Sequence, residues 1–170
     1  MKIAVLCNGP SRVSFDDSLE YDYVIGCNVP WTVVDSTVIM DTNIIDAWAN
    51  DFEKIKVPAH FTPKAWMRTD ELRMRKYLLD NNRFLGLIDD PLPSAGHYAA
   101  KVAINKGATE LDIFGCDSMF EQTVASYTNT LIKDVDEYFQ VQRVENWREF
   151  WKKLQESHPD VSFNFIKDSK

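Results

Sequence analysis

The chain has 170 residues, of which 45% are apolar and 26% charged, and it carries a net charge of −7. That length suffices for one domain with its own core. The acidic balance disfavours nucleic acid as a partner, because a duplex footprint needs a basic face, and no apolar run approaches the roughly 20 residues of a membrane span.

Lys2 to Cys7 is a continuous apolar run and predicts a central buried strand. It is too short for a signal peptide and is interrupted at Asn8-Gly9-Pro10-Ser11, a tight turn. Tyr23 to Cys27 and Ser36 to Met40 read as the second and third strands. Ile44, Ile45, Trp48 and Phe52 then recur at helical spacing, with Thr42 or Asn43 as the expected cap. Lys56 to Phe61 reads as a short strand. Thr69-Asp70 is expected to open a helix with Leu72, Tyr77 and Leu78 on its apolar face, followed by a weak strand over Phe84 to Ile88.

Pro93-Ser94-Ala95-Gly96 enters a helix marked by Tyr98, Val102 and Ile104, which ends at Lys106-Gly107, a cation followed by a stop glycine. Leu111 to Phe114 is a short buried strand that breaks at Gly115-Cys116-Asp117. The segment from about 118 to 143 reads as a lid. After it, Val144, Trp147, Trp151 and Leu154 make a helical stripe, with Phe150 beside them. That stripe reads as core rather than as a stacking platform. Val161 to Phe165 alternates as a final strand. Strands alternating with helices predict one α/β domain, residues 1–170, built on a mostly parallel, doubly wound sheet.

The strand ends share a chemistry. The first ends in Cys7-Asn8, the second in Cys27-Asn28, the third in Asp41-Thr42-Asn43 and the central one in Cys116-Asp117. In an open α/β sheet ligands bind at the carboxyl ends of the strands. Carboxamides there suit a nucleoside or a sugar, since each offers a donor and an acceptor without charge. The competing reading makes each of them a local cap or turn residue. Ser94-Ala95-Gly96 opens a helix toward the same edge and offers an anion site, to which His97 could add a proton donor. A histidine in a first helical turn is otherwise a partly exposed surface residue. Asp41 and Asp117 are a weak magnesium signal. The three cysteines lack zinc spacing and a disulfide pattern, and they fit a reducing cytoplasm.

The order Asn8-Gly9-Pro10-Ser11, Gly26-Cys27-Asn28, Asp41-Thr42-Asn43, Ser94-Ala95-Gly96 and Ala108 to Asp117 resembles bacterial sialyltransferases of glycosyltransferase family 42. It is also similar to a related group of archaeal pterin diphosphokinases and motility accessory proteins. The resemblance implies a Rossmann-like nucleotide-binding fold. It implies a donor nucleotide held by Asn8, Gly9, Pro10, Ser11, Asn28, Asn43 and the Ser94-Ala95-Gly96 turn. Tyr127 would contact the donor phosphate and Asp117 would match the family's strand-end acid; apart from the resemblance, the catalytic base would be a lid carboxylate or His97. A nucleotide sugar would be the co-substrate and no cofactor would be required. The family's catalytic histidine is missing, since Lys133 to Asn146 contains none and offers Asp134, Asp136, Glu137 and Tyr138 instead. From its length and the lack of a membrane-binding extension, a minimal, phage-type member would be expected.

Three functions therefore stand side by side: a nucleotide-sugar-dependent transferase, a magnesium-dependent diphosphotransferase of the pterin type, and a non-catalytic nucleotide- or sugar-binding module. A cytoplasmic location is expected for each, and a homo-oligomer is compatible with each.

Overall fold

The computed structural model describes residues 1–16, 18–49, 52, 55–121, 124–126, 139–141 and 144–167. Seven strands form one sheet: β1 (Lys2–Leu6), β2 (Tyr23–Cys27), β3 (Ser36–Ile39), β4 (Ala59–Phe61), β5 (Phe84–Leu87), β6 (Glu110–Phe114) and β9 (Ser162–Ile166). Their order is β5-β4-β3-β2-β1-β6-β9, and every pairing is parallel. The remaining two, β7 (Val124–Ser126) and β8 (Phe139–Val141), pair antiparallel. That small ribbon lies within the segment from about 118 to 143 that reads as a lid.

Register fixes what each face buries. Ile3 and Val5 of β1, and Cys7 just beyond it, share a face with Ile25, Cys27, Leu111 and Ile113. Helices α4 (Ala95–Asn105) and α5 (Val144–Ser157) pack on that face. On the other face α1 (Thr42–Trp48), α2 (Pro63–Glu71) and α3 (Arg75–Asp80) cover the β3–β5 half. The β1–β6 half is closed by Phe15, Tyr21 and Trp31 from the connecting loops, around Leu6 and Phe114. Helices on both faces of a parallel sheet make this a doubly wound, Rossmann-like α/β fold. Among the described residues no helix is long and apolar enough to cross a membrane.

Two helix assignments differ from the sequence reading. Thr69-Asp70 lies near the end of a helix, not at its start: Pro63 opens α2 at the first helical position, where a missing N–H costs nothing. The chain then turns at Arg73, whose φ is 59°, before α3 begins. At α1 the cap position is Asp41, and Thr42 is already helical.

Candidate functional site

The strand order reverses between β1 and β6, since β2 to β5 lie on one side of β1 and β6 and β9 on the other. Loops diverge there in such sheets and leave a crevice. Here the two loops bind one another. Cys7 N–H donates to the Phe114 carbonyl and Gly9 N–H to the Gly115 carbonyl, both at 2.8 Å. The Asp117 carboxylate accepts from Ser11 N–H at 3.0 Å. This closeness needs glycine: a Cβ on Gly9 would stand 2.7 Å from Asp117 Oδ2, and one on Gly115 would stand 2.5 Å from the Cys7 carbonyl oxygen. Gly115 also has φ 73°. Asp117, 7% exposed, therefore ties the 3₁₀ turn Pro10–Ser14 to the end of β6. Pro10 opens that turn and is exposed.

The ends of β1 and β2 carry the carboxamides Asn8 and Asn28. Asn8 is buried, and its Nδ2 donates to the Cys27 carbonyl at 2.9 Å. That bond orients the amide, and it leaves Oδ1 buried with no partner among the described residues. Ser11 Oγ is likewise buried and unpartnered. A buried acceptor without a donor costs roughly 1–3 kcal/mol and calls for a water or a ligand.

Asn28 is different. Its Nδ2 donates to Asp41 Oδ2 at 2.8 Å, and its Oδ1 accepts from Met40 N–H at 3.1 Å. With φ 52° it occupies the left-handed region that asparagine tolerates. Its role in this structure is to lock the β2 turn onto the end of β3. Burial raises the pKa of Asp41, and the Asn28 bond opposes that rise. Asn43 is exposed in the first turn of α1, two strands away from β1. Tyr127 lies outside the described residues.

Helix α4 starts against the end of β1. A Cβ on Gly96 would stand 2.8 Å from Cys7 Sγ, so glycine lets the helix approach. Ser94 sits at the cap position but makes no side-chain cap bond. Its hydroxyl instead meets His97 Nδ1 at 2.6 Å, while His97 Nε2 meets the Trp147 carbonyl at 3.0 Å. A carbonyl can only accept, so the network assigns the proton to Nε2 and makes Nδ1 the acceptor of the Ser94 hydroxyl proton. The ring is wholly buried and stacks on Trp151 at 4.3 Å. Burial depresses its pKa to about 4, against the opposing Trp147 bond. His97 is therefore not the partly exposed residue that its position suggested. It is neutral at pH 7, both of its nitrogens are engaged, and it holds Ser94 with its lone pairs available as acceptors. Anion donation at this helix start falls to the backbone N–H groups of the Ala95-Gly96 turn.

The three thiols meet beneath this edge. Cys7 contacts both Cys27 and Cys116, and all three are buried and free. The bond to Cys7 and then burial push the Cys116 thiol well up. For Cys7 the Cys116 contact favours the thiolate, but the Cys27 bond and burial outweigh it, and the net direction is upward. No group of three or more His, Cys, Asp or Glu among the described residues is placed to hold a metal ion.

The structure thus brings together Asn8, Gly9, Pro10, Ser11, Asn28, Ser94, Ala95, Gly96, His97 and Asp117 at one edge, and leaves Asn43 to one side. Sequence reasoning missed the Ser94–His97–Trp147 relay. Its signal was a serine at a helix cap with a histidine three residues on, the spacing of a capping box. Compared with known proteins, the chain matches no family model, no curated protein and no solved structure.

Proposed function

We propose that the protein is a nucleotide-sugar-dependent transferase of the sialyltransferase-like kind. Its donor nucleotide lies over the ends of β1 and β2, beside the start of α4. The observation that carries this reading is the unpartnered Oδ1 of Asn8, buried at a strand end beside a helix start whose N–H groups lack a side-chain cap. A nucleoside supplies hydrogen-bond donors for Asn8 Oδ1 and Ser94 Oγ, and its phosphate suits the N–H groups of Ala95 and Gly96. Asn28 and Asp117 support the site by fixing the loops around it. His97 positions Ser94 and is not the base.

The geometry gives less support to a shared magnesium ion. Asp41 follows β3 and Asp117 follows β6, three strand positions apart, which is about 14 Å at the usual spacing. Ligands to one magnesium ion stand about 2.1 Å from it.

The test is calorimetric titration of CMP, UDP and ADP and their sugar conjugates into the protein. One nucleotide should bind at sub-millimolar concentration, and Asn8→Ala should weaken it at least tenfold. No binding of any at millimolar levels overturns the proposal. Binding without turnover of any nucleotide sugar would replace the transferase reading with that of a binding module.

A further inference from the structure

Helices α4 and α5 run side by side over the sheet. His97 meets Trp147 and Trp151 near their starts, and Lys101 meets His158 further along. Between them, closed at one end by the loop before α4, is a groove of about 200 Å³. Lys101 lies six residues beyond Ala95, about 9 Å along the helix from the proposed nucleotide site. This groove is therefore a separate feature.

Its walls are apolar: Pro91 and Leu92 from the loop, Phe150 and Leu154 from α5. Its rim is basic. Phe150, Lys153 and Leu154 project at helical spacing from one face of α5, and Lys101 faces them from α4. Lys101 Nζ donates to His158 Nε2 at 3.4 Å, which holds the ammonium at the groove. Lys153 Nζ lies 4.9 Å over the Phe150 ring and 3.8 Å from Glu149, a long ion pair. Among the described residues, Asp90 is the one carboxylate in the lining. Two lysines and a histidine around one apolar groove run against the molecule's net charge of −7.

We propose that this groove binds a small aromatic carboxylate. A cavity of roughly 150 Å³ holds a benzene ring, so this volume takes a ring and one carboxylate. The ring lies against Phe150, Leu92 and Leu154. The carboxylate accepts from Lys101 Nζ in a charge-assisted bond, while another Nζ hydrogen keeps the bond to His158 Nε2 that holds the ammonium at the groove. Lys153 adds a second cation at the mouth.

The probe is benzoate, titrated into the full chain and followed by amide chemical shifts. Saturable shifts centred on Leu92, Lys101 and residues 150–158 are expected at millimolar concentration. Benzyl alcohol, which keeps the ring and lacks the charge, should bind at least tenfold more weakly. Acetate, which keeps the charge and lacks the ring, should also bind at least tenfold more weakly. Lys101→Met should weaken benzoate at least tenfold, and Asp90→Asn should strengthen it by removing a like charge. Equal binding of benzoate and benzyl alcohol, shifts centred elsewhere, or weaker binding by Asp90→Asn would each overturn the proposal. The two competitor probes use the unaltered protein, so this test holds even if a variant folds poorly.

Discussion

His97→Gln is the sharpest probe of the edge. The imidazole is fully buried between Ser94, the Trp147 carbonyl and the Trp151 ring. Burial holds its pKa at about 4, below the ordinary 6.5. Between these two values the unfolded chain binds a proton that the folded chain refuses. Stability from this residue is therefore complete above pH 6.5 and is lost as pH falls toward 4. At about 1.4 kcal/mol per pH unit the full loss is about 3 kcal/mol, of which about 2.5 kcal/mol is gone by pH 4.5. Glutamine does not titrate, so carboxylate effects common to both proteins cancel in the difference. Urea unfolding followed by tryptophan fluorescence at pH 4.5, 5.5, 6.5 and 7.5 gives the two curves. The stability gap between wild type and variant should narrow by about 2.5 kcal/mol from pH 7.5 to pH 4.5. A gap that stays constant refutes the burial argument, as does a His97 Cε1–H resonance that titrates near pH 6.5.

Two further outcomes follow from the closed switch point and the thiols beneath it. Gly115→Ala meets both a left-handed φ of 73° and the Cys7 carbonyl, and should cost about 2–4 kcal/mol in denaturant unfolding. Gly107→Ala, with φ 103° but nothing within 4 Å of its Cβ, should cost only about 1–2 kcal/mol. Equal costs would show that backbone conformation alone decides, not the approach of the two loops. The three buried thiols should react with an aromatic disulfide reagent at pH 8 only on unfolding: slowly in buffer, and fully, three per chain, in urea. Rapid reaction of any one in buffer would contradict their burial.

Much of the frame was legible in the residues. Short apolar-rich runs such as Ile3–Leu6 and Leu111–Phe114, separated by helical stripes, are what a sheet buried on both faces requires. The Gly107 stop and the Trp151–Leu154 stripe were equally local, because a helix end or face is written within a few turns of chain. The α2–α3 break was missed for the opposite reason. Pro63 as a helix start and Arg73 as a left-handed turn compete with a plausible apolar face at Leu72, Tyr77 and Leu78, and packing against Phe61 and Phe84 decided between them.

The sequence by itself determined that Asn8, Asn28, Asp117 and the Ser94-Ala95-Gly96 turn come to one edge, because strand polarity in a parallel sheet sends every such residue the same way. It could not say what each does there. Identical Asn residues after neighbouring strands take opposite roles: Asn28 spends both ends of its amide on Asp41 and Met40, while Asn8 keeps an oxygen unpaired. That difference depends on which groups, side chain or backbone, the neighbouring strand end offers within about 3 Å. His97 shows the same limit. Its place in a first helical turn is local information. Its burial comes from α5, some 50 residues away, whose Trp147 carbonyl and Trp151 ring enclose it.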